Sequence, residues 1–192
     1  MFTEARSRST EKRFFGVYEA IVTDVNDPGQ EGRVKVRFPW FDQDMETLWC
    51  RVRQFYAGNG YGAFFVPEVN DEVLVAFIQG DMRLPIILGG LYNGQDRPPT
   101  HRADDRDEKM IRTRGGHRIT LDDTSGSEKI TIIDARENNR IEIDTANNSI
   151  TIKSTNGKLI LQASEIEVSA DSTIKIEAGG QMDLKGSTIN LN

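Results

Sequence analysis

The chain has 192 residues, a formal net charge of −6 and a sequence pI of about 5.1. Residues 13–97 and 117–192 each carry 8 basic and 12 acidic residues, which argues against nucleic acid as a partner. The single cysteine, Cys50, excludes an intramolecular disulfide and is expected to be a small buried apolar residue. We find no signal peptide at the N-terminus and no apolar stretch of about 18 residues, so we expect assembly in the cytoplasm.

Residues 1–12 are polar and of mixed charge, and we interpret them as an N-terminal arm. Residues 13–97 contain five apolar-rich runs, which are Tyr18 to Asp24, Gly32 to Phe38, Leu48 to Arg53, Glu72 to Ile78 and Pro85 to Gly89. Asp27-Pro28-Gly29 has the residue order of a type II turn, so the first two runs are predicted to form a hairpin. Five short strands in so few residues indicate a small Greek-key barrel of the OB type.

Aromatic residues cluster between the third and fourth runs, at Phe55, Tyr56, Tyr61, Phe64 and Phe65. Some OB folds bind oligonucleotides or sugars on such rings, with basic residues beside them. No Lys or Arg lies between Arg53 and Arg83, so we interpret the aromatic residues as core and subunit contacts. The glycines among them, Gly58, Gly60 and Gly62, are not followed by a strand-to-helix transition, so they do not indicate a nucleotide-binding loop.

Residues 98–116 are predicted to be a connector. Asp104 and Asp105 lie in it beside Arg102 and Arg106, a pattern typical of a solvated strap rather than a pair of catalytic acids. The two histidines of the chain, His101 and His117, lack the spacing of metal ligands. We therefore predict no metal, cofactor or catalytic residue in this segment.

From residue 117 to the end, the sequence repeats one pattern, two aliphatic residues separated by one polar residue. The pairs are Ile119/Leu121, Ile130/Ile132, Ile141/Ile143, Ile150/Ile152, Leu159/Leu161, Ile166/Val168, Ile174/Ile176, Met182/Leu184 and Ile189/Leu191. Such period-two alternation predicts strands with one dry face and one wet face. The pairs begin 7 to 11 residues apart, whereas a single-chain solenoid needs about 20 residues or more per turn. Three chains wound around one axis would supply such a turn.

The composition of this segment favours a narrow prism. Every Phe, Trp and Tyr lies at or before Tyr92, and every Pro at or before Pro99. An ordinary antiparallel meander or sandwich is the alternative, although it would be expected to contain aromatic residues and prolines. We predict a trimer core that consists of Ile130, Ile132, Ile141, Ile143, Ile150, Ile152, Leu159, Leu161, Ile166, Val168, Ile174, Ile176, Met182 and Leu184.

Carboxylates in this segment are expected to be structural. Asp122 and Asp123 are adjacent on a strand and so point to opposite faces, which does not suit an acid/base pair. Wet positions are predicted for Glu142, Glu167, Lys175 and Glu177. We therefore expect that the chain is not an enzyme.

Three stretches carry a resemblance to a known family. They are GRVKVRFPW (Gly32 to Trp40), WCRVRQFYAGNGYGAFFVPEVNDEVLVAF (Trp49 to Phe77) and GDMRLPIILGGLYNG (Gly80 to Gly94), with KMIRTRGGHRITLDD (Lys109 to Asp123) following them. The chain resembles the central spike proteins of contractile injection machines, such as phage baseplate assembly protein V, the phage T4 spike and the VgrG proteins. The resemblance implies an all-β homotrimer, with an OB-fold collar at 13–97 and an intertwined triple-stranded β-helix at 117–192.

The same resemblance implies the function and the partners. It implies a structural spike that joins the hub of the tube and pierces a target cell envelope when the sheath contracts. Because the chain begins almost at the collar, the hub is expected to be a separate protein, as in a phage tail, a tailocin or an extracellular injection particle. The C-terminus lacks a His-x-His motif, so Ile189, Asn190, Leu191 and Asn192 are expected to dock a PAAR-repeat tip protein. A carrier platform for a tip or effector protein is an alternative, and a β-helical polysaccharide depolymerase is a weaker one.

The predicted register is tested by two neighbouring substitutions. Ile176→Asp would bring three like charges together in a dry core, at a cost of several kcal/mol each, and is expected to abolish the trimer. Lys175→Asp changes the predicted wet face and is expected to be tolerated. Native mass measured by light scattering distinguishes the two outcomes, and normal assembly of Ile176→Asp would contradict the register.

Overall fold

A computed structural model of the chain describes residues 13–100 and 107–190. The chain forms two compact units, Met1–Arg106 and Asp107–Asn192. The described residues contain strands and one short 3-10 helix, Ile78–Gly80, but no α-helix, which confirms the all-β prediction. No helix in these ranges is long and apolar enough to span a membrane. The predicted N-terminal arm and the central part of the connector, with His101, Asp104 and Asp105, lie outside the described residues.

The first unit is built around one six-stranded sheet. Its strands and the small hairpin beside it are β1 (Val17–Asp24), β2 (Lys35–Phe38), β3 (Asp42–Glu46), β4 (Arg51–Val52), β5 (Ala57–Gly58), β6 (Tyr61–Gly62), β7 (Glu72–Phe77) and β8 (Pro85–Gly90). The strand order is β3-β2-β1-β7-β8-β4, in which only the β4–β8 pair is parallel. A bridge between Val34 and Cys50 connects the segments that lead into β2 and β4, so the sheet curls towards closure as in an OB fold.

Each of the five predicted runs coincides with one of these strands to within a few residues or contains it, which confirms that part of the prediction. The sequence did not indicate β3, whose residues DQDME show no apolar alternation, or the two-residue strands β5 and β6. Alternation in the five runs turns every second side chain inward. The resulting core contains Ala20, Val22, Val34, Val36, Phe38, Cys50, Val73, Val75, Phe77 and Ile87. Cys50 is 1% exposed, in agreement with its prediction as a buried apolar residue.

The loop between β1 and β2 is organised by the carboxylate of Asp27. This group accepts hydrogen bonds from the backbone N–H groups of Gly29 (2.9 Å), Glu31 (2.9 Å) and Arg33 (3.2 Å). The guanidinium of Arg33 donates two more, at 3.0 and 2.8 Å. The hairpin prediction is confirmed, but the type II turn is wrong, because positive φ occurs at Gln30 (54°) and Gly32 (68°) and not at Gly29. Short-range bonds to Asp27 decide the turn in place of the Pro-Gly order.

The second unit is a five-stranded antiparallel meander. Its strands are β9 (Glu108–Arg112), β10 (Arg118–Asp122), β11 (Lys129–Ile133), β12 (Asn139–Asp144) and β13 (Ser149–Ser154). Neighbours in sequence are neighbours in the sheet. The first four aliphatic pairs therefore lie in strands that pair with one another within one chain, which is the arrangement that the meander alternative predicts for this part. Asn148 takes a left-handed conformation (φ 49°) in the tight turn before β13.

Residues 155–190 contain no strand, although the same aliphatic pairs continue through them. The prediction of strands for the pairs from Leu159 onward is thus not confirmed in the single chain. The aliphatic residues of this segment are exposed, from 46% for Met182 to 71% for Ile176. A β-strand needs a neighbour to satisfy its backbone N–H and C=O groups, and the single chain supplies none here.

The Asp27 loop predicts a specific dependence of stability on pH. Hydrogen bonds from Arg33 hold the pKa of the Asp27 carboxyl well below its usual range, and the backbone N–H donors add to this. A lowered pKa in the folded state stabilises the fold above the unfolded pKa of about 3.9, and this stabilisation is lost as pH falls towards the folded pKa. Asp27→Asn is therefore expected to lower stability at pH 7 and to flatten the decline below pH 4.

Urea unfolding followed by tryptophan fluorescence provides the measurement, because Trp40 and Trp49 both lie in the first unit. Glu31→Gln is the matched control, since the Glu31 side chain is 62% exposed and lies 3.3 Å from Arg33. The control is expected to keep the wild-type pH profile. Equal profiles for Asp27→Asn and the wild type would contradict the role given to this carboxylate.

Candidate assembly interface

One face of the β9–β13 sheet is almost entirely aliphatic. The strand registers align its side chains in two rows that cross all five strands, and we call this surface the aliphatic face. One row consists of Ile111, Ile119, Ile132, Ile141 and Ile152, and the other of Lys109, Leu121, Ile130, Ile143 and Ile150. The alternation of aliphatic and polar residues produces this face directly, because side chains two apart on a strand share a face.

The aliphatic face is uncovered in the single chain. Its side chains are exposed by between 40% for Ile130 and 73% for Ile150. A groove of about 480 Å³ runs over one of its rows, with Leu159 at the margin. Scattered apolar residues on a surface are ordinary, but a contiguous aliphatic surface across five strands is typical of an interaction site. The sheet therefore has a face that the chain itself does not bury.

A layer of polar groups borders the aliphatic face in the loops next to the row that contains Ile119. The backbone N–H of Asn139 donates to a carboxylate oxygen of Asp134 (3.0 Å), and the hydroxyl of Ser154 donates to the side-chain oxygen of Asn139 (2.7 Å). The Nδ1 of His117 accepts from the N–H of Ala135 at 3.2 Å. Hydrogen bonds to Asn139 lower the pKa of Asp134. These groups close the loops of the meander, and among the described residues no cluster of three or more potential metal ligands occurs.

The carboxylates of this unit have structural partners. Asp122 accepts a hydrogen bond from the N–H of Thr124 at 3.0 Å, and bonds to Thr124 lower its pKa. Asp123 pairs with Lys109. A general acid needs a raised pKa, whereas the pKa of Asp122 is lowered. Their separate partners agree with the prediction that Asp122 and Asp123 do not form a facing pair.

The predicted core residues divide into two groups. Ile130, Ile132, Ile141, Ile143, Ile150 and Ile152 lie together on the aliphatic face. The structure does not bring together the other eight, which follow β13. Ile111 also lies on this face but was missed, because it forms no aliphatic pair and its neighbour Met110 is also apolar, so the segment does not alternate. Of the predicted tip-docking residues, Ile189 is 51% exposed, while Leu191 and Asn192 lie outside the described residues.

The aromatic cluster of the first unit lies on the surface around the β5–β6 hairpin. Exposure ranges from 56% for Phe65 to 77% for Phe55, so the prediction that these rings belong to the core is wrong for the single chain. The rings pair at the surface, Phe55 with Phe65 and Tyr56 with Tyr61, at centroid distances of 6.2 and 5.6 Å. These aromatic residues do not alternate with polar residues, so the sequence did not indicate whether each ring is buried or exposed.

Local hydrogen bonds and glycines hold this hairpin in place. The side chain of Gln54 donates to the carbonyl of Phe65 (3.0 Å) and accepts from its N–H (3.1 Å). Gly62 has φ 141°, and a Cβ there would lie 2.5 Å from the carbonyl oxygen of Tyr56. Gly32 has φ 68°, and a Cβ there would lie 2.7 Å from the ring of Phe64. The exposed rings are therefore presented by an ordered segment, and only glycine fits at these two positions.

Residues 18–92 match the family described as the type VI secretion system/phage-baseplate injector OB domain. The chain is also similar to curated spike proteins of type VI secretion. It is 35% identical over 125 residues to the spike protein VgrG3 of Vibrio cholerae, an alignment of 57% of this chain and 12% of VgrG3. It is 35% identical over 127 residues to VgrG1c of Pseudomonas aeruginosa, which covers 60% of this chain and 17% of that protein.

A third relative, named actin cross-linking toxin VgrG1 of Vibrio cholerae, is 33% identical over 125 residues, or 57% of this chain and 11% of that protein. The chain thus spans less than one fifth of the length of these three relatives. The predicted resemblance is confirmed: the chain is similar to VgrG spike proteins and carries an injector-type OB domain.

Removal of a buried ring and removal of an exposed ring in the first unit are expected to lower the unfolding free energy by very different amounts. Phe38→Ser removes a ring that is 2% exposed and is expected to cost about 3–5 kcal/mol of unfolding free energy. Phe55→Ser removes a ring that is 77% exposed and is expected to cost less than about 0.5 kcal/mol. Urea unfolding compares the two, and a large loss in Phe55→Ser would show that the hairpin stabilises the unit.

Proposed function

We propose that the chain is a central spike of a contractile injection machine, with the first unit as its collar and the second as the start of its needle. The match of residues 18–92 to the injector OB domain and the similarity to spike proteins support the class. The uncovered aliphatic face carries the proposal further, because a machine part of this kind needs an assembly surface. The boundaries proposed from the sequence are an arm at 1–12, a collar at 13–97, a connector at 98–116 and a spike at 117–192.

The aliphatic face is the core of a homotrimer in this proposal. Nine aliphatic side chains lie on it, each about half exposed. Full burial of such a side chain is worth about 1.5–3 kcal/mol, so covering the remaining half yields roughly 7–13 kcal/mol per chain as an upper bound. That amount stabilises an assembly even after the cost of association. Three sheets with their aliphatic faces inward form a triangular prism without uncovered faces.

The segment 155–190 completes the needle by pairing with other copies. The aliphatic pairs begin 9 to 11 residues apart in the meander and 7 to 9 residues apart from Ile150 onward. The shorter spacing leaves fewer residues for a strand and a hairpin turn back onto the same chain. Strands of three chains that alternate around one axis satisfy both the backbone groups and the aliphatic side chains. The triple-stranded winding is therefore proposed for this segment, and a same-chain meander for the strands before it.

The proposed role is mechanical. Sheath contraction drives an inner tube with this spike at its front, and the spike crosses the target envelope. An interlocked prism resists axial load because opening one strand breaks pairings in all three chains. No lysine lies near the exposed rings around Phe55 and Tyr61 in the sequence. Exposed aromatic residues without lysine are typical of protein–protein contacts, so we assign these rings to contacts with neighbouring subunits. A hub protein and a PAAR-repeat tip protein are the further partners that the family resemblance implies.

A carrier function is the second candidate, in which the trimer docks a tip or an effector protein through Ile189 and the residues beside it. Piercing and carrying use the same assembly and are compatible. A polysaccharide depolymerase is less well supported, because sugar platforms are aromatic and the chain has no aromatic residue after Tyr92.

The native mass of the purified chain tests the proposal. Three times the chain mass of 21.6 kDa, or about 65 kDa, is expected by light scattering. Ile119→Asp places a charge on the aliphatic face and is expected to reduce the mass to that of one chain. Thr120→Asp adds the same charge to the opposite face of the same strand and is expected to assemble. A one-chain mass for the wild type would contradict the trimer.

A further inference from the structure

The face of the β9–β13 sheet opposite the aliphatic face carries a row of charged side chains at each end of the strands. We call them the basic row and the acidic row. The basic row consists of Arg112, Arg118, Ile133, Arg140 and Lys153. The acidic row consists of Glu108, Asp122, Lys129, Asp144 and Ser149. Four residues separate the two rows on every strand, which is a distance of about 14 Å. Each sheet is therefore polarised along its strands.

Few ion pairs neutralise the basic row within the chain. Arg118 pairs with Glu137 at 2.8 Å, and Arg140 lies 3.7 Å from Glu142. The Nε of Arg140 is buried without a hydrogen-bond partner. In the described parts of the chain, Arg112 and Lys153 form no ion pair. The row thus holds four cations and no carboxylate of its own, and it has unused hydrogen-bond donors.

Two carboxylates of the acidic row accept hydrogen bonds in local turns, and Lys129 lies beside both of them in the sheet. Asp144 accepts from the backbone and side chain of Asn147, both at 2.9 Å, and these bonds lower its pKa. Asp122 accepts from the N–H of Thr124. A carboxylate can accept about four hydrogen bonds, so both groups retain lone pairs for a further donor.

The two rows carry opposite charges on three of the five strands. β9 has Arg112 at one end and Glu108 at the other, and β10 has Arg118 and Asp122. β12 repeats the arrangement with Arg140 and Asp144. Two strands differ. β11 has the uncharged Ile133 in the basic row and Lys129 in the acidic row, and β13 has Lys153 in the basic row and the uncharged Ser149 in the acidic row. Lys129, the one cation of the acidic row, would therefore face the uncharged Ile133 and not another cation.

The direction of the repeat determines which parts of neighbouring sheets meet. Aliphatic pairs continue beyond β13, so the stacking direction of the strands is the long axis of the proposed needle. The ends of the strands then face sideways, towards the adjacent copies. In a closed ring of identical copies, one end of each sheet meets the opposite end of the next.

We propose that the copies join head to tail, with the basic row of each chain against the acidic row of the next chain at the same strand level. Arg112 then faces Glu108, Arg118 faces Asp122 and Arg140 faces Asp144 of the adjacent copy. This inference rests on the assembly proposed above and adds its direction and its register. Apolar burial drives association, while the charge pattern rejects sheets that are reversed or shifted by one strand.

Charge reversal in the full-length chain tests the contact. The basic-row variant is Arg112→Glu/Arg140→Glu, and the acidic-row variant is Glu108→Arg/Asp144→Arg. Each places like charges at two strand levels of every contact, and each is expected to raise the protein concentration at half-assembly at least about tenfold in low salt. The chains are refolded from denaturant over a concentration series, and their mass is measured by sedimentation.

The variant that carries all four substitutions restores opposite charges at both levels. It is expected to assemble within about threefold of the wild-type concentration, although Asp144→Arg also removes the bonds to Asn147. Arg51→Glu/Arg97→Glu is the matched control for the basic-row variant, because it makes the same change of net charge at exposed positions of the first unit. The control is expected to assemble as the wild type.

Wild-type assembly by either double variant would overturn the head-to-tail contact, as would a fourfold variant no better than the double variants. A wild-type chain of one-chain mass would instead overturn the trimer itself, so the two failures are distinguishable. Loss of assembly in the control would show that net charge, and not the pairing of rows, is responsible, and would also overturn the inference.

Discussion

Period-two alternation is the constraint on which both units depend, because it divides every sheet into an apolar face and a polar face. In the first unit the sheet curls, and its apolar side chains, including Val22, Val36 and Val75, reach full burial within one chain. In the second unit the sheet is a succession of hairpins, and its aliphatic face stays uncovered. One chain therefore contains one apolar face that it buries itself and one that it leaves uncovered.

The two uncovered surfaces differ in chemistry. Branched aliphatic side chains in two aligned rows form the aliphatic face, and they suit close packing of sheet against sheet. Aromatic rings on the β5–β6 hairpin are fewer and are held by a short ordered loop through Gln54 and Phe65. The first surface fits an intimate and permanent assembly, and the second fits a contact with a separate protein surface. In the proposed spike, these correspond to the needle core and the collar contacts.

Local pattern predicted much of the structure. The core strands of the first unit and the shared face of Ile130 through Ile152 follow from alternation alone, since neighbouring side chains must point to opposite sides. The turn at Asp27 was predicted wrongly, because a carboxylate that collects five hydrogen bonds outweighs the Pro-Gly order. The rings at Phe55 and Tyr61 were wrongly assigned to the core. Their apolar character does not indicate whether other residues of the same chain pack over them.

The sequence by itself determined that the chain is all-β, that an OB-like unit precedes a repeat of aliphatic pairs, and that the chain resembles injector spike proteins. Only the tertiary structure decided which strands pair. It placed the first four aliphatic pairs in a same-chain meander, brought Ile111 onto their face and aligned the charged residues into two opposed rows. The physical reason is that alternation specifies the face of each side chain, whereas strand register depends on hydrogen bonds between segments that are distant in sequence.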